Sequence, residues 1–183
     1  MKICQNFNCM HLFFACRRCI MGQLDESEEG NMLFFLILFL IFGIAYAAYL
    51  PFMDIEAAWM AKIEQPVYAL PGWICGIAWA CMYLLMTVAV WLLLQEKEEQ
   101  YVAPALGIFA FQFFVNILWG PVIVRSQNLD WAMVYLCVLF LLVLWNMIAF
   151  WRISEVAGLL FVPYLIWVGY TLCIQALTWH RNS

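Results

Sequence analysis

Charge is the scarcest property of this chain. Only 11% of its 183 residues are Asp, Glu, Lys or Arg, whereas 68% are hydrophobic. A soluble domain usually carries about 25% charged residues. The shortage excludes a water-soluble fold and predicts an integral membrane protein whose main partner is the lipid bilayer. No basic run of the kind that binds nucleic acid is present, so we expect no nucleic-acid partner.

The few charges are also segregated along the chain. Five stretches contain no Asp, Glu, Lys or Arg, namely Met32–Met53, Pro66–Leu94, Tyr101–Val124, Trp131–Trp151 and Val156–His180. Each is close to the ~20 residues that a helix needs to cross a bilayer. None alternates polar with apolar residues as barrel strands do. The sequence therefore predicts an all-α fold, an integral membrane bundle of five transmembrane helices that forms one domain over residues 31–183.

The five stretches also lack the side chains that usually perform chemistry in a membrane. Ionisable groups are typical of ion-coupled carriers and of acid–base catalysis. Histidine is limited to His11 and His180, neither in the middle of a stretch. We therefore predict no catalytic residue, no metal site and no obligatory cofactor in the bundle.

Residues 1–30 differ from the rest because they are polar, rich in cysteine and acidic at their end. Cys16 and Cys19 have the C-x-x-C spacing of zinc ligands, but no second such pair follows. We favour a disordered N-terminal extension over a metal site. An upstream start, with the working protein beginning at Met21 or Met32, is the other alternative.

Aromatic residues are abundant, and they follow a loop that contains two prolines. Pro66 and Pro71 predict a stiff, extended segment within the long loop Met53–Gly72, which could cover one end of the bundle as a lid. Trp79 and Tyr83 come next and, being four residues apart, share one face of a helix. A rigid loop followed by large flat side chains predicts a site for a large flat ligand.

Polar side chains within the stretches are amides and hydroxyls. Gln112, Asn116 and Trp119 fall at i, i+4 and i+7, which places them in one stripe. Further polar residues are Asn146, Thr171 and Gln175. Hydrogen bonds between helices, worth roughly 0.6–2 kcal/mol each, are one interpretation. A pocket whose amides orient a ligand is the other, and both can hold.

The tryptophans divide by depth. Those near the ends of the stretches are candidates for interfacial belt residues: Trp59, Trp73, Trp131 and Trp179. Those deeper in the stretches are the better pocket candidates, because a buried indole needs a partner for its N–H: Trp79, Trp119, Trp145 and Trp167.

Three patterns together resemble one known family. The first pattern consists of Gln65-Pro66 and Pro71-Gly72-Trp73, followed by Trp79, Tyr83 and Met86. The second is Phe109-x2-Gln112-x3-Asn116-x2-Trp119. The third is Ala157-Gly158-x-Leu160-x2-Pro163-Tyr164-x2-Trp167. With these patterns, residues 32–182 resemble the TspO/MBR family of tryptophan-rich sensory proteins and mitochondrial translocator proteins. The sequence departs from the family pattern at three positions. Gln65 stands where the family usually has Lys, Leu70 where it usually has Pro, and Thr171 where it often has Ala.

The resemblance implies a five-helix bundle, usually a homodimer, with a ligand cavity under the first loop. Family members accept porphyrins or haem, drug-like isoquinolines and benzodiazepines and, in animals, cholesterol. By position it implies a cavity lined by Trp79, Tyr83, Asn116, Trp119, Trp167 and Thr171, and Gln112 belongs to the same stripe. The sterol pattern fails because no basic residue follows Tyr170 within six positions, which favours a tetrapyrrole.

The predicted function is accordingly a multi-pass membrane receptor or sensor-like protein that binds porphyrin or haem. A transporter of porphyrins or of other apolar compounds such as cholesterol is the alternative. A porphyrin-degrading enzyme that depends on light or oxygen is a third and less favoured interpretation. We expect the bacterial inner membrane as the location, with the mitochondrial outer membrane as the alternative.

Overall fold

The computed structural model describes residues 30, 32–96 and 99–182, and these residues are helical apart from short connections. Five of their helices are long and apolar enough to cross a membrane: Met32–Met60, Gly72–Leu94, Gln100–Val124, Leu129–Trp151 and Glu155–Asn182. The predicted all-α fold with five membrane helices is confirmed. The N-terminal extension was predicted over residues 1–30. Its residues 1–29, with the Cys16–Cys19 pair, lie outside the described residues, and Gly30 is helical.

The chain divides into two compact units between Leu36 and Ile37. The described part of the first unit consists of residue 30 and residues 32–36, which are helical. All contacts below belong to the second unit, Ile37–Ser183.

The first membrane helix is longer than predicted. Helix α1 covers residues 32–49, a 3₁₀ turn follows at Leu50–Phe52, and α2 continues over Met53–Met60. The predicted loop Met53–Gly72 is therefore wrong in its first half, which is helical. The observed loop comprises only residues 61–71, before α3. Asp54 and Glu56 lie in the first turn of α2, where the helix dipole favours acidic side chains.

The remaining helices are α3 Gly72–Leu94, α4 Glu99–Ile117, α5 Leu129–Trp151, α6 Glu155–Leu159 and α7 Val162–Asn182. Pro71 precedes α3 with extended dihedral angles, φ −56° and ψ 142°, and thus sets where this helix begins. Asn128 caps α5, since its side-chain oxygen accepts a hydrogen bond from the Trp131 amide at 3.0 Å.

Two prolines interrupt the later membrane helices. After α4 the chain forms a π-helical turn over Trp119–Val124, which contains Pro121. Pro163 lies in the first turn of α7, just after the break that separates α6 from α7. Because proline has no amide hydrogen, neither residue can complete a regular α-helical hydrogen bond there.

The core lies where α5 packs against α4, α6 and α7, and where α3 packs against α4, α6 and α7. Its largest fully buried side chains are Tyr164, Phe150, Phe161, Met86 and Leu93. Large apolar side chains on the opposite faces are exposed, among them Phe111, Leu141 and Ile166. On a membrane-spanning bundle these faces meet lipid rather than water.

A close approach fixes the 3₁₀ turn against the π-helical turn. A Cβ atom added to Gly120 would lie 2.6 Å from a ring carbon of Phe52. Only glycine leaves room for this ring. The contact holds the start of α2 beside the end of the third membrane helix.

Candidate functional site

Asn116 on α4 is at the centre of the polar groups inside the bundle. Its side-chain oxygen accepts a hydrogen bond from the Tyr83 hydroxyl on α3 at 2.9 Å. Its side-chain nitrogen donates to the Tyr164 hydroxyl on α7 at 2.8 Å. Asn116 is buried, with 6% of its surface exposed. One amide therefore links three membrane helices.

The hydrogen-bond chain continues from Tyr164 to α5. Gln112 donates to the Tyr164 hydroxyl at 3.0 Å, and Asn146 donates to the Gln112 side-chain oxygen at 3.4 Å. This confirms the interpretation of the amides as links between helices. The side-chain oxygen of Asn146 is buried without a hydrogen-bond partner, so the chain ends in a free acceptor.

Aromatic rings form a wall beside this chain. The ring centroid of Trp79 lies 6.0 Å from that of Tyr83, 6.1 Å from that of Tyr164 and 6.4 Å from that of Trp167. The two indole planes are perpendicular, at 90°. The structure thus brings Trp79, Tyr83, Asn116 and Trp167 together, and it adds Tyr164, which sequence reasoning left out of the site.

Trp167 has an unusual indole. Its Nε1 atom is buried and has no hydrogen-bond partner, while its ring packs against Tyr170 with centroids 5.4 Å apart. A buried donor without a partner costs about 1–3 kcal/mol. A ligand that supplies an acceptor at this point would recover that free energy.

Trp119 lies at the loop side of the cluster, where the π-helical turn begins. Its ring centroid is 5.7 Å from that of Tyr135, and its indole N–H donates to Glu56 Oε1 at 3.4 Å. The Tyr49 hydroxyl donates to the other oxygen, Glu56 Oε2. Glu56 and Tyr135 were not predicted as site residues.

Thr171 lies one helical turn after Trp167 on α7 and is half-buried. Its hydroxyl donates to the Val168 carbonyl at 2.8 Å. Because the hydroxyl is engaged by its own helix, we interpret the contribution of Thr171 to a pocket as bulk rather than as a hydrogen bond.

The loop of residues 61–71 is fixed to α7. The Glu64 amide donates to Asn182 Oδ1 at 2.9 Å, and Asn182 Nδ2 donates to the Glu64 carbonyl at 3.1 Å. The Tyr170 hydroxyl donates to the Tyr68 carbonyl at 2.9 Å. Of the two predicted lid prolines, Pro66 is buried and Pro71 is exposed.

The other predicted belt and pocket tryptophans lie outside this cluster. Trp145 was predicted as a pocket residue, but it lies on an outer face of α5 with 55% of its surface exposed, and that prediction is wrong. Trp73 and Trp131 are exposed, as expected of interfacial residues, whereas Trp59 is buried against Ile123 and Ala132. Within the described ranges, no group of three or more His, Cys, Asp or Glu side chains could hold a metal ion.

The fold and the site define a class, a multi-pass membrane protein of five helices with an aromatic and amide cluster between them. The sequence profile of the TspO/MBR family matches residues 34–180. The chain belongs to the TspO/MBR family.

Curated relatives of the chain include bacterial and animal proteins. It is 31% identical to Protein CrtK of Rhodobacter capsulatus over 126 residues, 68% of this chain and 79% of the relative. It is 32% identical to the tryptophan-rich sensory protein of Cereibacter sphaeroides over 127 residues, which are 67% of this chain and 78% of the relative. It is 28% identical to the human translocator protein over 127 residues, 68% and 75% of the two chains.

Proposed function

We propose that this protein is a membrane receptor or sensor that binds a tetrapyrrole, porphyrin or haem, between α3, α4 and α7. The observation that supports this most is the pair Trp79 and Trp167, whose perpendicular rings lie beside the chain of amides and hydroxyls. Indole faces stack well on a flat macrocycle. A few polar groups in an apolar pocket then fix its orientation.

The site residues that we propose are Trp79, Tyr83, Gln112, Asn116, Trp119, Trp167 and Thr171. Gln112 is fully buried and bonds to both Tyr164 and Asn146. We therefore assign it an indirect part, in which it holds the Tyr164 hydroxyl in place. Pro66 and Pro71 shape the loop that would cover the ligand.

Transport of a porphyrin or of another apolar compound is the second candidate. It is suggested by the name of the human relative, a translocator protein. Flux of a fluorescent porphyrin into sealed proteoliposomes would support transport. Saturable binding without flux would support the receptor instead.

The proposed function is tested by titrating the purified protein with protoporphyrin, haem and cholesterol and recording tryptophan quenching. We expect the tetrapyrroles to bind more tightly than cholesterol. A Trp79→Ala, Trp167→Ala double variant should lose at least about tenfold in porphyrin affinity, because it removes both indole contacts, one to a face of the macrocycle and one to its edge.

A matched control is the double variant Trp73→Ala, Trp145→Ala, which also removes two tryptophans, both exposed ones. It should bind porphyrin as the wild type does. Equal affinities for both double variants would contradict the residue assignment, and the absence of saturable porphyrin binding to the wild type would contradict the function.

A further inference from the structure

One carboxylate, that of Glu56, lies at the loop side of the proposed site. Its oxygen Oε1 accepts the Trp119 indole hydrogen at 3.4 Å, and Oε2 accepts the Tyr49 hydroxyl hydrogen. Both donors are neutral. An ionised carboxylate can make both bonds, because it only accepts hydrogen bonds.

The bond to Trp119 locates this carboxylate relative to the ligand residues. Trp119 is three residues after Asn116, which places both on one side of the third membrane helix. Glu56 thus lies beside the end of the third membrane helix, about one helical turn beyond Asn116 toward the loop.

The position of α2 is fixed independently of any ligand. The 3₁₀ turn before α2 packs on the π-helical turn that contains Trp119, and the Phe52 ring fills the space over Gly120. Glu56 is half-buried, so water screens its charge less than it screens a surface carboxylate. An anionic group in the same end of the site would be repelled more strongly than in water.

We propose that Glu56 is a specificity-determining residue that selects ligands by charge. It disfavours molecules that place a carboxylate at the loop-side end of the cluster and favours those that present an uncharged or cationic edge there. The inference rests on the proposed function and deepens it. Among porphyrins, a ring with esterified acid groups binds better than the same ring with free propionates.

The experiment compares protoporphyrin with its dimethyl ester on wild type and on Glu56→Gln. The glutamine keeps the size and one acceptor oxygen but removes the charge. Because the ester is intrinsically more apolar, the informative quantity is the ratio of the two dissociation constants. We expect the wild-type preference for the ester to fall at least about fivefold in Glu56→Gln.

Two variants serve as controls. Glu64→Gln removes an exposed carboxylate from the loop on the same side of the bundle, where the backbone of Glu64 rather than its side chain bonds to Asn182. Glu56→Asp keeps a charge at the proposed position. Both should retain a ratio close to that of wild type.

A wild-type measurement avoids any question of folding. A protoporphyrin diester that carries ammonium groups should bind at least as tightly as the neutral diester, and weaker binding would overturn the inference. An unchanged ratio in Glu56→Gln, with both porphyrins bound, would also overturn it but leave the proposed function intact. If no porphyrin binds to wild type, both proposals fail.

Discussion

The hydroxyl of Tyr83 on α3 donates a 2.9 Å hydrogen bond to the side-chain oxygen of Asn116 on α4. This contact joins the aromatic wall to the chain of amides and hydroxyls. The same side chains therefore link the helices and line the proposed site. Substitutions in this cluster should change stability and ligand affinity together.

Asn116→Ala should lower the free energy of unfolding by about 1–2 kcal/mol. The change leaves the Tyr83 hydroxyl without its acceptor and removes one donor from Tyr164. Tyr83→Phe is the control because it breaks only the first of the two bonds, and it should cost less. Thermal unfolding in detergent measures both, and a larger loss for Tyr83→Phe would contradict the central position of Asn116.

Gly158→Ala should destabilise the bundle by about 1–3 kcal/mol. A Cβ atom at this position would lie 2.6 Å from the Trp151 backbone, which cannot move aside as a flexible side chain can. Gly107→Ala on α4 is matched to it, since a Cβ there has nothing within 4 Å. The control should stay within about 1 kcal/mol of wild type; equal losses in chemical denaturation would refute the close approach.

The variants Thr171→Ala and Thr171→Val distinguish two ways in which the Thr171 side chain could affect porphyrin affinity, through its volume or through a hydrogen bond. The Thr171 hydroxyl bonds to the Val168 carbonyl of its own helix. We therefore expect the valine variant, whose side chain has nearly the same volume, to bind porphyrin within about twofold of wild type. Alanine enlarges the pocket and should shift the affinity by at least about threefold. If titration shows that the porphyrin affinity changes equally in the valine and alanine variants, the hydroxyl rather than the bulk of Thr171 faces the ligand.

Asn182→Ala should loosen the loop of residues 61–71. The substitution removes both hydrogen bonds to the Glu64 backbone, and we expect the Glu64 amide to exchange with deuterium about fivefold faster. Arg181→Ala changes the neighbouring exposed residue and should leave that exchange rate unchanged. Similar rates in wild type and Asn182→Ala would show that the loop is held by other contacts.

The membrane helices could be predicted from the sequence because their signal is local. Charge is absent over the length that a bilayer requires, and the central parts of all five predicted stretches coincide with the observed spans. The first loop was mispredicted for the same reason. Asp54 and Glu56 made Met53–Met60 look polar, whereas tertiary contacts through Phe52 and Trp119 keep this segment helical.

The site could be predicted only where spacing within one helix indicated it. Gln112 and Asn116 share a stripe, and so do Trp79 and Tyr83, and the structure places these residues in one cluster. Tyr164 is three residues before Trp167 and could have been found by the same rule. Glu56 could not, because its bond to Trp119 joins residues that are distant in sequence.

Trp145 shows the limit of reasoning from depth alone. It lies well inside the fourth charge-free stretch, yet 55% of its surface is exposed. The apolar residues of α5 do not reveal which face packs on the other helices, because lipid-facing and core-facing side chains are similarly hydrophobic. The polar neighbour Asn146 marks the inner face of this helix.

The most direct test of the account follows the indole signals of Trp167 and Trp145 by ¹H–¹⁵N NMR while protoporphyrin is added. Single Trp→Phe variants assign the two signals. The Trp167 indole is buried without a partner and next to Trp79, so its signal should shift in step with saturation, while the Trp145 signal stays in place. Saturable binding that leaves the Trp167 signal unmoved would contradict the proposed site.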